Sequence, residues 1–299
     1  MSSAPGDAAP TRPPWSEFKG ALESAGFRPS RRLGQNFLLD QNMARAIARD
    51  AKVKEDDVVL EVGPGCGFLS VHLAHAGTRL IACEIDERLF GIAGEFLEPY
   101  SNVTMLLADA LASKHALSPE LDALLPETSA WHVVSNLPYS ISGPFLAILA
   151  QRAAPPRSIT VLVQLEVGER LAASPATSAW GPLTIAVQSA YDVKLVRTVG
   201  PDLFWPRPRV SSAVMRLELR ANLAPVEDRR RRLALARALF LHRRQSLGRV
   251  LRGQLGAPES EAALQELGLD PRDRAENLDM GLLEALGDVT AWRERYAAD

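Results

Sequence analysis

Four consecutive residues in the middle of the chain, Asn136-Leu137-Pro138-Tyr139, combine an amide, a ring-locked backbone and an aromatic face. An Asn side chain offers an acceptor oxygen and two donor hydrogens. Proline fixes its own φ, and tyrosine presents a flat face with a polar tip. Together they suit a planar ring that carries an amine. The apolar run Trp131-His132-Val133-Val134 precedes them and reads as a buried strand. The four residues therefore stand at the carboxyl end of a strand, where open α/β sheets bind their ligands.

A second group of residues lies upstream. Asp57 to Val62 reads as a strand that runs into Gly63-Pro64-Gly65-Cys66-Gly67-Phe68 and then into a helix from Leu69 to Ala76. A glycine turn there lets the backbone approach a ligand near a helix N-terminus. The spacing is G-x-G-x-G, which departs from the G-x-G-x-x-G of dinucleotide oxidoreductases and is typical of S-adenosylmethionine-dependent methyltransferases. Glu84 ends the second strand, 21 residues after Gly63, where a carboxylate can accept from both hydroxyls of a ribose. Asp109, at the end of a third strand over Val103 to Leu107, is placed to accept from an adenine amine. Asp86 reads as a helix N-cap. His72 and His75 stand at i, i+3 with no Cys or carboxylate at ligand spacing; they read as surface residues, and no metal site is expected.

These groups need a scaffold. Trp15, Phe18 and Leu22 predict a short amphipathic helix, and Asp40 is expected to cap a helix over Gln41 to Ala51. Helices are predicted over Glu87 to Leu97, Gly143 to Arg152, Val167 to Ala173 and Leu183 to Ala190, and a fifth strand over Ser158 to Gln164. Residues 112–130 look irregular with some helix. Tyr191 to Val199 and Val210 to Leu219 alternate as an antiparallel pair, and Pro201 to Pro208 between them is too proline-rich for regular structure. From Ala221 onward only helical patterns occur. The order predicts an α/β domain followed by a small α-helical one: a flexible leader with a short helix over 1–28, a cofactor-binding domain over 29–220 and a helical domain over 221–299.

With 299 residues, 46% apolar and 23% charged, the composition is that of an ordinary globular protein. No apolar run reaches the length of a membrane span, so no membrane partner is expected. Met1 to Pro14 is rich in Pro, Ala and Ser without the apolar segment of a secretory signal. Cys66 and Cys83 are too few for a disulfide framework, which predicts a reduced, cytoplasmic setting. The net charge of −2 conceals an asymmetry. Arg229 to Arg252 holds nine arginines and no acid, leaving about −11 on the rest of the chain. Such a block can bind nucleic-acid phosphate locally. Its plainer reading is a solvated helix face.

Several blocks resemble, in order, the rRNA adenine N6,N6-dimethyltransferase family. They are Leu33-Gly34-Gln35-Asn36-Phe37-Leu38, Glu61-Val62-Gly63-Pro64-Gly65-Cys66-Gly67, Glu84-Ile85-Asp86 and Asn136-Leu137-Pro138-Tyr139. Downstream, the run from Phe204 to Val214 is similar to the family's F-x-P-x-P-x-V-x-S-A-V block, Phe240 to Leu247 to its F-x-x-R-R-K-x-L helix, and Arg274 to Leu278 to its R-A-E-x-L segment. The likeness runs from about Arg31 to about Val289. The last blocks resemble the KsgA-type branch, which modifies two adjacent adenosines near the 3′ end of small-subunit rRNA, more than the Erm-type branch, which modifies one adenosine of large-subunit rRNA. Gln245 stands where Lys is usual, and Trp180-Gly181 where Tyr-Gly is expected.

The resemblance implies a class I methyltransferase fold, a Rossmann-like seven-stranded, mostly parallel sheet with a small C-terminal α-helical domain. It implies S-adenosyl-L-methionine as cofactor and small-subunit rRNA or a 30S-type particle as partner, with the enzyme a monomer. The catalytic set is Asn136, Leu137, Pro138 and Tyr139: the Asn136 oxygen and Leu137 carbonyl accept from an adenine N6, Tyr139 stacks on the base and Pro138 holds the turn. The cofactor set is Asn36, Leu38, Gly63, Gly65, Glu84, Asp109 and Asn136, with Asn36 and Leu38 in a lid; for Leu38 simple packing is the alternative. Gln35 is a weaker contributor, and Gln164 and Glu166 read as structural. The RNA set is Phe204, Arg243, Arg244 and Arg249. Phe204 could face the flipped base or be a core aromatic under its loop. If 229–252 is largely helical, Leu233, Ala236, Phe240, Leu247 and Leu251 form an apolar stripe edged by Arg230, Arg237 and Arg244, and Arg31 and Arg32 extend the surface. The rival functions are an Erm-type enzyme and a non-catalytic RNA-binding assembly factor of the same fold.

Overall fold

The computed structural model describes residues 15–24, 26–30, 32–289 and 292. The leader Met1 to Pro14 and the expected surface residue Arg31 lie outside them. The described chain groups into two compact units whose sequence segments interleave. The first holds the chain up to Phe145 with Pro156–Leu165 and Leu195–Leu217; the second holds Leu146–Pro155, Glu166–Lys194 and the chain from Glu218 onward.

The first unit opens with α1 (Trp15–Ser24), β1 (Phe37–Leu38) and α2 (Gln41–Asp50), continues with β2 (Val58–Val62), α3 (Ser70–His75), β3 (Arg79–Glu84), α4 (Glu87–Leu97) and β4 (Val103–Leu107), and then a small hairpin, β5 (Leu111–Ser113) and β6 (Ala116–Leu117). After α5 (Pro119–Asp122) come β7 (Trp131–Asn136), the start of α6 (Ser142–Ala150) and β8 (Ser158–Gln164). The caps are those the sequence predicts: the Asp40 carboxylate accepts from the Met43 N–H at 2.6 Å and Asp86 from Arg88 at 3.1 Å. Residues 112–130 are more ordered than expected. The hairpin and α5, whose cap is Ser118, occupy much of that stretch, in elements too short for periodicity to show.

The long strands form one seven-stranded sheet. Its order is β4-β3-β2-β7-β8-β11-β9, where β9 is Tyr191–Val199 and β11 is Ser212–Leu219. Pairs β3–β4, β2–β3, β2–β7 and β7–β8 are parallel. Val59, Leu60, Leu80, Val133, Val134, Val161 and Leu162 are all buried, the continuous apolar run of parallel strands covered on both faces. Strand order runs outward from β2 to β3 and β4, then returns to place β7 on the other side of β2, with Val58 opposite Trp131 and Leu60 opposite Val133. The gap between β2 and β7 is thus the switch point at which such sheets bind ligands. It brings the glycine turn after β2 beside the Asn136 turn after β7.

In this unit one of two open readings holds and one expectation fails. Phe204, expected against RNA or in the core, is 3% exposed and packs with Leu38, Val199 and Val214. It belongs to β10 (Phe204–Trp205), which pairs antiparallel with β1, Leu38 opposite Phe204 and Phe37 opposite Trp205. Strand alternation turns Phe204 inward, so the core reading of this residue replaces the RNA-facing one. His72, read as a surface residue, is buried on α3, while His75 is exposed.

The second unit contains the end of α6, α7 (Leu165–Leu171) from its second residue, α8 (Pro182–Gln188) and the helices α9 (Val226–Leu241), α10 (Leu247–Leu255), α11 (Ala257–Glu266) and α12 (Met280–Asp288). Its core joins Trp180 and Ile185 to Leu235, Leu239, Leu251, Leu283 and Leu286. The Trp180 indole N–H donates to the Leu278 carbonyl at 3.1 Å, and the Ala176 N–H to that of Glu276 at 2.7 Å. These links place residues 166–194 with the C-terminal helices, whereas the expected boundary fell at residue 220. The arginine block is two helices separated by residues 242–246, not one. It is also not uniformly solvated. Arg229 is 1% exposed and donates to the carbonyls of Ala150, Arg152 and Ala224, and Arg232 pairs with Glu284 at 2.8 Å. Arg230 and Arg237, seven residues apart on α9, are both exposed; Arg244 is exposed too, but it lies in the break between the helices, so helical spacing does not account for it.

Candidate active site

A cavity of about 270 Å³ opens at the switch point. Gly63 and Gly65 form its floor at φ values of 71° and 59°. A Cβ on Gly63 would lie 2.9 Å from Cγ of Pro138, and one on Gly65 2.9 Å from Cδ1 of Phe37. Both positions thus need glycine twice over, for backbone angle and for space. Glu84 sits 4% exposed at the end of β3. Its Oε1 accepts from the N–H groups of Ile85 and Asp86, each at 3.0 Å, and its Oε2 from Gly65 at 3.1 Å. Burial raises its pKa, and these three N–H groups oppose the rise. A carboxylate offers about four acceptor sites, so capacity remains for a ligand hydroxyl. Asp109 is exposed on the rim, with Oδ1 held by the Leu111 N–H at 2.9 Å.

The opposite wall is the Asn136 turn. The Asn136 Nδ2 donates to the Asn36 carbonyl at 3.0 Å. Because a carbonyl can only accept, this bond fixes which way the amide points. The other end, Oδ1, is buried and has no hydrogen-bond partner. An unsatisfied buried acceptor costs roughly 1–3 kcal/mol, which a donor on a ligand would recover. The segment 33–36 is fastened over this turn: the Ser140 hydroxyl donates to the Leu33 carbonyl at 3.1 Å, and Asn36 Nδ2 to that of Gly34 at 3.2 Å. Gly34, at φ 67°, has the Tyr139 and Ser140 nitrogens at 3.0 and 2.9 Å from where a Cβ would stand.

Asn36, Leu38, Gly63, Gly65, Glu84, Asp109 and Asn136, predicted apart in the sequence, all line this cavity, as do Leu137 and Pro138. Leu38 is 4% exposed and shares the core cluster, so it both packs and lines. Gln35 lines the cavity too, bonded to the Ser30 N–H and to Asp86. Tyr139 lies outside the lining, its hydroxyl 2.6 Å from that of Ser212. Glu61 is a further lining residue, outside the predicted site. It lines the cavity at 1% exposure, and burial, with the nearby Glu84 charge adding and the Ser70 hydroxyl opposing, pushes its pKa up to about 8. The one signal for it was a carboxyl inside an apolar strand. In the second unit, Arg244 and Arg249 are exposed with no ion pair among the described residues, whereas Arg243 is tied to Glu276 at 2.9 Å and to the Ser178 carbonyl at 3.3 Å.

The residues present fit an adenosine-bearing cofactor: a glycine cradle without room for side chains, a buried carboxylate with spare capacity, and an orphaned amide oxygen. A glycine turn after the first long strand, acids after the next two and an amide turn after the fourth, on this seven-stranded sheet, define the class I methyltransferase fold. The same fold occurs in the 23S rRNA methyltransferase ErmE, with TM-score 0.63 and 25% identity over 84% of this chain and 98% of that one. It occurs also in a dimethyladenosine transferase from Plasmodium falciparum, with TM-score 0.68 and 23% identity over 83% and 94% of the two chains.

Within that class the family is defined by sequence. Residues 26–288 match the family described as Ribosomal RNA adenine dimethylase, and the chain belongs to it. Among its relatives are proteins named Ribosomal RNA small subunit methyltransferase A. The one from Geobacillus kaustophilus is 39% identical over 91% of this chain and 94% of its own. The one from Clostridium acetobutylicum is 35% identical over 89% and 95%.

Proposed function

We propose that the protein uses S-adenosyl-L-methionine to dimethylate N6 of two adjacent adenosines near the 3′ end of small-subunit rRNA, as a step in small-subunit maturation, and that it acts as a monomer in the cytoplasm. The small-subunit names of relatives that share 35–39% of its residues support the choice of RNA. One observation carries the chemistry: the Asn136 amide has its donor end tied to the Asn36 carbonyl and its acceptor end unpartnered at the cavity.

The cofactor, when bound, supplies a methyl group on a sulfonium, an activated donor that the protein need not generate. Gly63 and Gly65 would hold it through the backbone, Glu84 at its ribose hydroxyls and Asp109 at its adenine amine, with Asn36 and Leu38 as the lid. The acceptor nitrogen is a poor nucleophile because its lone pair is delocalised into the adenine ring. In the first transfer Asn136 Oδ1 and the Leu137 carbonyl accept the two N6 hydrogens, and in the second one of them accepts the single hydrogen left, which favours a tetrahedral nitrogen with a localised lone pair; each time the nitrogen takes the methyl as the sulfonium carbon–sulfur bond breaks, and then releases one proton to solvent. Pro138 fixes the turn that carries both acceptors. Tyr139 stacks on a base that has left its own stack, a contact worth about 1–3 kcal/mol. Orientation supplies most of the acceleration, and no strong general base is needed. Arg244 and Arg249, with Arg243, bind RNA phosphates.

The test is to offer unmethylated small-subunit particles and large-subunit rRNA separately, with methyl-labelled cofactor, and to map the labelled base. Dimethyl label on two adjacent adenosines near the small-subunit 3′ end is expected. Label on a single adenosine of the large-subunit RNA would put the protein in the other branch. Cofactor binding without transfer to either would make it a non-catalytic assembly factor.

A further inference from the structure

The Asn136 turn has one hydrogen bond that the methyl-transfer scheme leaves unused. The Tyr139 hydroxyl lies 2.6 Å from that of Ser212, 73 residues further along the chain. Ser212 is the first residue of β11 and is fully buried. The residue before it, Ser211, accepts at its carbonyl from the Leu165 N–H at 2.9 Å, just past the end of β8. The Ser212 hydroxyl is thus a fixed point, with a strand on one side of its backbone and this bond on the other. Each hydroxyl is the other's only hydrogen-bond partner among the described residues. Buried hydroxyls need such a partner. Burial pushes the Tyr139 phenol up, with the Ser212 bond opposing, so the phenol keeps its proton and one hydroxyl donates to the other.

The rest of the turn is fastened through its backbone and its lid. The Pro138 carbonyl accepts from the Ile141 N–H at 3.1 Å and from the Ser142 hydroxyl at 3.0 Å. The Ser140 hydroxyl is tied to the Leu33 carbonyl. None of these bonds reaches the Tyr139 ring. A tyrosine side chain turns about two torsions, and the outer one has a broad minimum. Holding the tip of the ring restricts both. Stacking on a base needs two parallel planes, so a ring free to turn stacks poorly. Asn136, Leu137, Pro138 and Ser140 line the cofactor cavity and Tyr139 does not, so the anchored ring stands apart from the cofactor.

We propose that Ser212 is a positioning residue for methyl transfer, whose hydroxyl holds the Tyr139 ring in the plane on which the target adenine stacks. The proposal rests on the stacking role given to Tyr139 above, and it names the group that sets the ring's orientation. Ser212 does not line the cofactor cavity and acts only through the Tyr139 hydroxyl. Removing either hydroxyl therefore does the same damage, and removing both does no more. Cofactor affinity stays unchanged, because the ring lies outside the cavity. A general loosening of the turn would lower it, because Asn136, Leu137 and Pro138 line the cavity.

The experiment is a double-mutant cycle on the full-length protein: wild type, S212A, Y139F and S212A/Y139F, with Y139A as a control that removes the ring. Single-turnover methyl transfer is measured at saturating small-subunit particles and cofactor, and S-adenosylmethionine affinity by calorimetry. S212A and Y139F should each slow transfer about threefold to tenfold, the size of one neutral hydrogen bond. The double variant should be no slower than either single one, and cofactor affinity should be that of the wild type throughout. Y139A should be slower than all of them. Should S212A fail to fold, Y139F keeps the ring and still carries the test. A wild-type rate in Y139F overturns the proposal. So does a further loss when S212A is added to Y139F, which would make Ser212 a packing residue, and so does a loss of cofactor affinity in S212A. A near-normal rate in Y139A would sink the stacking role and the anchor with it, whereas a slow Y139A beside a normal Y139F sinks the anchor alone. Failure of the wild type to methylate small-subunit particles contradicts the proposed function; the cycle is then read on large-subunit rRNA, where the same pattern is expected, and transfer to neither overturns both.

Discussion

Glu61 is a carboxyl group inside an apolar strand, and its environment decides its charge. Burial, with the Glu84 charge adding, raises its pKa from 4.5 to about 8, against the pull of the Ser70 hydroxyl. The folded state therefore binds more protons than the unfolded state between those values. The stability this contributes is complete below about pH 4.5 and is lost as pH rises towards 8. E61Q keeps the shape and removes the titration. Thermal melts from pH 5 to 8 should show the wild type losing stability relative to E61Q, by at most about 1.4 kcal/mol per pH unit; parallel curves would mean that Glu61 is ionised throughout. Cys83 is subject to the same physics. Burial, with the nearby Glu84 and Asp109 charges adding, pushes its thiol up to about 12, and Cys66 is buried beside Phe37 and Phe68. Thiolates do the reacting, so a thiol reagent should leave both cysteines unmodified in the folded protein and titrate two after denaturation.

Among the elements, the glycine turn after β2 comes up against the Asn136 turn after β7. Gly63 and Gly67 both adopt positive φ, but a Cβ on Gly63 would press within 2.9 Å of Pro138, whereas one on Gly67 has its nearest neighbour at 4.0 Å. The two alanine variants thus share the backbone strain, about 1–2 kcal/mol, and differ in crowding. G63A should lose cofactor affinity by calorimetry and methyl transfer together, while G67A should lose stability with the lesser effect on both. Equal damage in the two would remove Pro138 from the account. The long strands, the caps at Asp40 and Asp86 and the glycine turn were legible because each has a local signal: an apolar run, a side chain at a helix start, a spacing. The pairing of β1 with β10 was not, because two-residue strands carry no period and their partners are 166 and 168 positions apart. Phe204 was ambiguous for that reason, since only the pairing shows which way it turns. His72 looked exposed because a six-residue helix gives its faces little contrast.

At the scale of the whole molecule, the sequence order concealed how the chain divides. The segment 166–194 reads as part of the α/β pattern, yet Trp180 and Ile185 bury their side chains with Leu235 and Leu286. Interleaving depends on long-range packing that no window of sequence contains. The same holds for the arginines. Composition marked the block as basic but could not separate Arg229 and Arg232, which hold the unit together, from Arg244 and Arg249, which face solvent. Charge reversal at Arg244 and Arg249 should therefore weaken binding to small-subunit rRNA and flatten its salt dependence by about 0.7 to 0.9 per lost phosphate contact, with the melting temperature nearly unchanged. Reversal at Arg243 should lower the melting temperature as well, since it breaks the bond to Glu276. RNA affinity unaffected by the Arg244 and Arg249 reversals at every salt would return these residues to a solvated face.

The claim on which the rest depends is that the free oxygen of Asn136 accepts an N6 hydrogen of the target adenosine. It is tested by single-turnover methyl transfer to small-subunit particles with N136A, with cofactor affinity measured alongside. The rate should fall about 10²–10³-fold, with cofactor binding changed far less. A near-normal rate with N136A would contradict it.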